Sequence, residues 1–135
     1  MAAIPLLQKH VIEELTIRNE TFERKIENFK INPKINFSVT RKDAGKPFLA
    51  ILELEIGSMD DESPIYIRLK LRGYLLAIKP QGDESEFDAV AFHRKAFPVM
   101  FDTARAILAG ATQAGGMVPI LLAPIDPNTL NINRG

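Results

Sequence analysis

Two histidines are the side chains in this sequence best suited to acid–base or metal chemistry. His10 stands near the start of the first predicted strand, and His93 stands in the run 92–95 (FHRK). Neither has a second histidine at a metal-ligand spacing, and catalysis by histidine requires a partner that orients the ring. We therefore interpret both as surface imidazoles rather than as ligands or general bases.

Acidic residues and serines give no clearer signal for chemistry. Two acidic clusters lack the spaced oxygens and the glycine of a calcium loop and are interpreted as solvated turns: Asp60, Asp61 and Glu62, and then Asp83, Glu84, Glu86 and Asp88. No serine stands in a nucleophile elbow, and no glycine-rich phosphate loop follows a predicted strand. We expect no enzyme activity, no metal site and no cofactor.

The composition is that of one folded domain, residues 1–135. Its balanced charges create no electrostatic field that would attract a polyanion. Seventeen Lys and Arg residues balance seventeen Asp and Glu residues, so binding to nucleic acid or to an anionic membrane is not expected. The absence of cysteine excludes disulfides and thiolate metal sites and is typical of a reducing cytoplasm. Residues 1–7 lack the features of a signal peptide, and no window reaches the roughly 20 apolar residues of a membrane helix. We expect a cytoplasmic protein.

Alternation of apolar and polar residues predicts four strands, joined by polar loops. The second is the clearest, because Ile35, Phe37 and Val39 alternate with polar neighbours. The predicted bounds of the four strands are 11–22, 35–40, 48–56 and 65–78.

The fourth predicted strand changes character along its length. Gly73 interrupts its alternation, which predicts a bulge or a bend. Residues 74–78 are apolar on both faces, so we expect another surface to cover this end. The first half carries three cations on one face, predicted to lie across from Glu53 and Glu55 of the third strand: Arg68, Lys70 and Arg72.

A helix rich in alanine follows. Pro98 suits the first turn of a helix, and the glycines at 115–116 are a usual C-terminal stop. Asp102 and Arg105 are expected to pair within it. Small residues let other surfaces approach closely, so we expect the helix to pack on its own sheet and on a second subunit. Five residues at helical spacing are predicted to form its packing face: Phe101, Ala104, Ile107, Leu108 and Ala111.

Together these elements predict an α+β protein with a four-stranded antiparallel sheet, one long helix and an extended C-terminal tail. One helix can cover only part of one face of such a sheet. The third and fourth strands also carry apolar residues on both faces in places. The remaining apolar area therefore indicates an oligomer interface, a ligand groove, or both.

Several of these segments resemble the bacterial export chaperone SecB. The run 101–105 (FDTAR), followed at the family's intervals by Gly115 and by 122–124 (LAP), is similar to its helix and the segment after it. The resemblance spans roughly residues 12–130 and rests on the common order of scattered identities. Three further matches are 33–39 (PKINFSV) with the family's second strand, 22–23 (FE) with the end of its first, and Gly73 with a glycine late in its fourth.

The resemblance implies a homotetramer, a dimer of dimers with helices packed between two sheets. It also implies a chaperone that holds unfolded or nascent polypeptides without ATP. By position it places Ile35, Phe37 and Val39 in a client-binding groove, and Phe29 and Ile31 join them by their location before the second strand. A plain core role fits these five residues equally well. The resemblance also implies that the packing face of the helix forms the oligomer interface.

The sequence also departs from SecB in ways that speak against coupling to the SecA motor. Residues 125–135 stand in place of the family's lid helix and acidic tail. At the family's motor-contact positions the chain has Asn19, Glu23 and Leu69, of which only Glu23 is acidic. We therefore expect a chaperone with a dedicated client, such as an antitoxin or a pre-secretory protein. The alternative is a structural or assembly protein of a phage or mobile element, with its apolar faces buried in oligomer contacts.

Overall fold

The computed structural model describes residues 3–19, 33–41, 46–57, 65–79, 87–114 and 122. The strands form one antiparallel sheet in the order β1-β4-β3-β2, so β1 and β2 are its two edges. The predicted α+β architecture, an antiparallel sheet followed by one long helix, is confirmed, and the C-terminal tail lies outside the described residues apart from Leu122. In chain order the elements are β1 (Ile4–Asn19), β2 (Lys34–Thr40), β3 (Phe48–Ile56), β4 (Ile65–Ile78) and α1 (Ala89–Ala114).

Among the four strands, the first departs most from its prediction. The bounds of β3 and β4 are confirmed, and β2 begins one residue before the predicted 35–40. In contrast, β1 begins at Ile4 rather than at residue 11. Its register against β4 shifts twice, once after Leu7 and once after Ile12. Each shift breaks the period of two, so alternation alone does not reveal the full length of this strand.

The helix begins before its predicted start. Pro98 does not occupy the first turn, because α1 begins at Ala89 and Pro98 lies inside it. Asp88 caps the N-terminus: its Oδ1 accepts hydrogen bonds from the backbone N–H groups of Val90 and Ala91, both at 3.1 Å. In the sequence this cap is hidden, because Asp88 is also the last acid of a polar loop. The interior proline removes one helical hydrogen bond, and packing of the neighbouring residues must compensate for it.

The core lies between α1 and the face of the sheet that α1 covers, which we call the inner face. Burial of one Leu, Ile or Phe side chain contributes about 1.5–3 kcal/mol, so this layer is the main source of stability. The sheet contributes alternate residues that are almost completely buried: Ala50, Leu52, Leu54, Ile56, Ile67, Leu69, Leu71 and Leu75. The helix contributes Phe92, Ala96, Phe97, Met100, Phe101, Ala104 and Leu108.

Gly73 serves close packing rather than a bulge. The predicted bulge is not found at this residue, because Gly73 pairs in continuous register with Ala50 of β3, and both register shifts against β4 lie on β1 at other positions. A Cβ at this position would overlap the side chain of Met100 in α1 and come within 3.1 Å of Leu7. A larger residue here would therefore require the buried end of the Met100 side chain to shift, because the helix approaches the sheet closely.

The helix also contacts the segment that follows it. Arg105 pairs with Asp102 as predicted, with Nη1 donating to Oδ1 at 3.1 Å. The Nε of Arg105 donates a second hydrogen bond to the backbone oxygen of Leu122 at 2.8 Å, and the Leu122 side chain is buried. One side chain thus ties α1 to the segment after it and joins two of the motifs on which the family resemblance rests.

Candidate functional site

Exposed apolar side chains are concentrated on β1. Of the seven large apolar residues exposed by more than a third among the described residues, five lie on this strand. The other two are Ile78, which pairs with Ile4, and Phe87, which precedes α1. The five residues, which we call the β1 surface, are Ile4, Leu6, Val11, Ile12 and Leu15.

The β1 surface has apolar side chains on both faces of the sheet. Ile12 pairs with Leu71, and Leu15 pairs with Leu69, so both lie on the inner face. They nevertheless remain 43% and 38% exposed. A helix is about 10–12 Å wide, whereas four strands at about 4.8 Å spacing span more than that, so α1 leaves part of the inner face uncovered. Val11 pairs with an outer-face residue and is exposed on that side.

Among the described residues, no strand pairs with the outer edge of β1. Within the described sheet β1 pairs only with β4, so its other edge has no strand beside it. An edge strand of this length presents a row of backbone donors and acceptors to any extended segment that approaches it. Exposed apolar side chains beside a free backbone edge are what strand addition by a peptide requires.

On the outer face, β4 cations pair with β3 acids as predicted. Lys70 lies opposite Glu53 with Nζ and Oε1 3.8 Å apart, and Arg68 lies opposite Glu55 with Nη1 and Oε2 3.7 Å apart. The hydroxyl of Tyr66 donates to Glu55 Oε2 at 2.9 Å. Burial, and then the hydrogen bond to Glu55, raise the pKa of Tyr66 above its ordinary value.

The same cations also hold β1, which the sequence did not indicate. Arg68 Nε donates to Glu14 Oε2 at 3.2 Å, Lys70 Nζ lies 3.5 Å from Glu13 Oε2, and Arg72 pairs with Glu13. Consecutive residues of a regular strand point to opposite faces, but the register shift after Ile12 brings both acids to the β4 cations. The charged part of the outer face is therefore internally paired.

The predicted client residues lie on the opposite edge of the sheet. Phe37 is only 7% exposed and makes edge-on ring contacts with His93 at 5.0 Å and Phe97 at 5.3 Å. Ile35 and Val39 are partly buried and pack against the same core. Phe29 and Ile31 lie outside the described residues. A client groove built from these five residues stays a prediction, with Phe37 in a core position.

The predicted oligomer residues are divided between core and surface. Phe101, Ala104 and Leu108 are at most 2% exposed and pack on the sheet of their own chain. Ile107 and Ala111 are half-buried at the margin of this packing face. Only the latter two have area left for a second subunit, and the oligomer interface stays a prediction.

The two histidines differ in their surroundings. His10 is exposed on β1, as expected. The interpretation of His93 as a surface imidazole is wrong, because its side chain is 5% exposed and packs against Phe37. Burial lowers the pKa of His93 below its ordinary value. Within the described parts of the chain, no three His, Cys, Asp or Glu side chains are grouped so that they could hold a metal ion.

A groove opens between the start of β1 and the first half of α1, and we call it the basic groove. It has a volume of about 690 Å³ and is open to solvent. Its position was not foreseen, because neither the start of β1 nor the first turns of α1 were predicted. It is lined by Ile4, Pro5, Ala91, Arg94, Lys95, Pro98 and Val99.

Comparison with known proteins agrees with this architecture. No family model and no curated protein matches the sequence. Among solved structures, a SecB-like chaperone from Mycobacterium tuberculosis, in complex with a ChAD peptide from the HigA1 antitoxin, superposes with a TM-score of 0.65 over 90% of this chain and 91% of that one, at 9% sequence identity.

The chain has the SecB-like fold. A protein of unknown function from Streptococcus agalactiae is also similar, with a TM-score of 0.55 and 14% identity over 92% of this chain and all of the other. Within the described residues of this SecB-like chain, no helix is both long and apolar enough to cross a membrane.

Proposed function

We propose that this SecB-like protein is a chaperone that binds non-native polypeptides without ATP, at the surface of its first strand. The observation that carries the proposal is the concentration of exposed apolar side chains on an edge strand. On a monomeric protein such an edge is an aggregation hazard, and natural sheets usually protect it with charges, prolines or short strands. β1 carries Pro5 and several charged residues, but along its 16 residues it also leaves five large apolar side chains exposed, and these are best explained as a surface that another chain covers.

The binding mode that fits this geometry is strand addition combined with apolar contact. An extended client segment lies beside β1 and forms backbone hydrogen bonds with its free edge. Client side chains that point inward contact Ile12 and Leu15, and those that point outward contact Val11. Each square ångström of apolar surface removed from water contributes about 25 cal/mol, so a few partly exposed residues give moderate and reversible affinity. Such affinity suits a protein that holds clients and then releases them.

The class of client is proposed from the structural neighbour. The Mycobacterium tuberculosis protein is in complex with a peptide from an antitoxin, and the two chains match over nine tenths of their lengths. A dedicated client of this kind, or a pre-secretory protein, suits a cytoplasmic homo-oligomer. The charged outer face supports independence from SecA, because its acids are already paired with β4 cations. The residues predicted on β2 and in the crossover before it are proposed as a secondary contact region.

An aggregation assay tests the proposal. A denatured test protein is diluted into buffer without nucleotide, and light scattering is recorded at increasing ratios of this protein. We expect suppression near stoichiometric ratios and a clear weakening by Leu15→Thr, which removes apolar surface but suits a strand. Phe87→Thr is the matched control, since Phe87 is 39% exposed, compared with 38% for Leu15, but lies off β1. Equal effects of the two substitutions would show that β1 is not the binding surface.

Two further measurements separate the proposal from a purely structural role. A client peptide methylated on alternate backbone nitrogens should bind less well than its unmethylated form, because it cannot complete the hydrogen bonds of an added strand. A dye that reports exposed apolar surface should bind the native oligomer strongly. If the dye does not bind and no client is held, the apolar surface is buried between subunits, and the assembly-protein alternative is correct.

A further inference from the structure

The outer face of the sheet, opposite α1, changes character along β1. In the second half of the strand, Glu14 accepts a hydrogen bond from Arg68 Nε at 3.2 Å, so this part of the face is charged. In the first half, Leu6 and Val11 are 52% and 38% exposed. Lys9 is the only lysine, arginine or acid in that half. The outer face beside the start of β1 is therefore mainly apolar.

Pairing with β4 places these two apolar residues on the outer face. Leu6 pairs with Leu76, and the chain neighbour of Leu76, Leu75, is fully buried in the core on the inner face. Val11 pairs with Arg72, which is one of the outer-face cations. Since successive residues of a strand point to opposite faces, Leu6 and Val11 point away from α1.

The inner face of β1 carries apolar residues in both halves of the strand. Leu7 and Ile17 are partly buried and pack against the core. Ile12 and Leu15 are more exposed on the same face. A chain beside β1 therefore has apolar contacts on both faces next to the first half of the strand, and on the inner face next to the second half.

The end of β4 extends the apolar part of the outer face. The sequence of residues 74–78 predicts that another surface covers this segment. On the inner face Leu75 is buried in the core, whereas on the outer face Leu76 is half-buried and Ile78 is 43% exposed. The outer side of this segment therefore leaves apolar surface for another chain.

We propose that the preferred client segment has apolar residues at consecutive positions beside the start of β1 and at alternate positions beside its end. This inference rests on the proposed function and adds the pattern by which a client is chosen. In an added strand, outward side chains contact Leu6 and Val11 at one end and Glu14 at the other. Inward side chains contact apolar residues along the whole length.

The direction of the client follows from the sheet. All three described pairings are antiparallel, and an antiparallel ladder is slightly more stable per residue than a parallel one. An added strand of this kind places its C-terminal half beside the start of β1. Continuous apolar runs are typical of strands that are buried on both faces in their own fold. Such runs are accessible in non-native chains, so this pattern favours unfolded clients over exposed amphipathic strands.

Two labelled peptides of equal length and identical composition test the proposal on the intact protein. Both have apolar residues at alternate positions, and both carry two further valines at the intervening positions. The valines lie in the C-terminal half of one peptide and in the N-terminal half of the other. We expect the peptide with the C-terminal run to bind about three- to tenfold more tightly, a range that burial of two further apolar side chains can supply. Fluorescence anisotropy measures both Kd values.

Two double variants assign the preference to one face of β1. Leu6→Thr with Val11→Thr should bring the two Kd values together, because it removes the outer-face contacts of the tighter peptide. Ile12→Thr with Leu15→Thr is the matched control, since it replaces two exposed apolar residues of the same strand on the inner face. It should weaken both peptides and keep the ratio of their Kd values. Threonine suits a strand, and circular dichroism confirms that each variant keeps the fold.

The possible failures are distinguishable. If the two peptides bind equally, or if the outer-face double variant keeps the preference, the proposed pattern is wrong. The proposed function then stands, provided that the inner-face double variant still weakens binding. A reversed preference would overturn the antiparallel direction, and with it the pattern in this form. If neither peptide binds, both proposals are wrong. Sedimentation in which the outer-face double variant alters only self-association would make this part of β1 a subunit contact and overturn the inference.

Discussion

The two edge strands of the sheet use their apolar residues in opposite ways. On β2, a strand of 7 residues, Phe37 is part of the core, and Ile35 and Val39 pack against it. On β1, a strand of 16 residues, five large apolar side chains remain more than a third exposed. Both are edge strands of one sheet, and both have inner-face apolar residues. What differs is whether α1 covers them.

The contrast between β1 and β2 shows what a regular alternation of apolar and polar residues indicates in this protein. The clean alternation in β2 reflects burial of one face and exposure of the other, which is the usual demand of a core. The irregular β1 places apolar residues on both faces and shifts its register twice. The residues of a strand that binds a second polypeptide need not alternate between apolar and polar types. The strand with the less regular pattern is therefore the better candidate for binding.

The largest expected effect contrasts the two edges directly. Phe37→Ala removes a buried ring that contacts His93 and Phe97, so we expect a loss of about 3–5 kcal/mol in the free energy of unfolding. Leu15→Ala on β1 should lower it by about 1 kcal/mol or less, since much of that side chain is already in water. Urea unfolding followed by circular dichroism measures both values. Similar losses would mean that β1 is buried in solution by a partner or a second copy.

Three of the four strands could be predicted from the sequence because each buries one continuous face. β1 could not be bounded, because its two register shifts interrupt the alternation that marks a strand. The start of α1 was missed because Asp88 belongs to an acidic loop in the sequence and to a helix cap in the fold.

The candidate site was harder to predict than the fold. Exposure of Ile12 and Leu15 depends on where α1 crosses the sheet, and periodicity carries no information about that. The burial of Phe37 follows from the same placement. The pairing of β4 cations with β3 acids was predictable because it depends only on the local register of a hairpin. The contacts of those cations with β1 were not predictable, because β1 is far away in the sequence and its register shift after Ile12 decides which acids reach β4.

The next effect concerns the fit between α1 and the centre of the sheet. Gly73→Ala places a Cβ against Met100 and near Leu7, so we expect a loss of about 1–3 kcal/mol in stability. Because the added Cβ also meets Leu7 of β1, the strain falls on the β1 side of the sheet rather than on β2. Met100→Leu should reduce the penalty of Gly73→Ala in a double-mutant cycle. Simple additivity of the two changes would contradict the close approach.

A smaller effect tests the contribution of ion pairs to the packing of β1 on the sheet. Lys70 lies between Glu13 of β1 and Glu53 of β3. Lys70→Met removes the cation between these two acids, so it should lower the free energy of unfolding by about 0.2–1 kcal/mol. The loss should decline in high salt, since these groups are partly exposed. Lys34→Met, at an exposed position of β2, is the matched control and should have a smaller effect. Equal effects would mean that the pairs at Lys70 contribute nothing beyond an ordinary surface charge.

The smallest effect at neutral pH concerns His93, which packs against Phe37 beneath the β2 edge. Burial lowers the pKa of His93 in the folded protein, whereas the unfolded chain has an ordinary histidine pKa of about 6.5. The unfolded state therefore binds the proton more readily, and stability should fall as the pH drops below about 6.5 towards the folded pKa. His93→Gln should reduce this fall, while His10→Gln, which removes the exposed histidine of β1, should retain it. Urea unfolding at pH 7.5, 6.5 and 5.5 measures the dependence. If the stability of His93→Gln falls at low pH as much as that of the unchanged protein, another group causes the acid sensitivity. The two edges then do not differ in this respect.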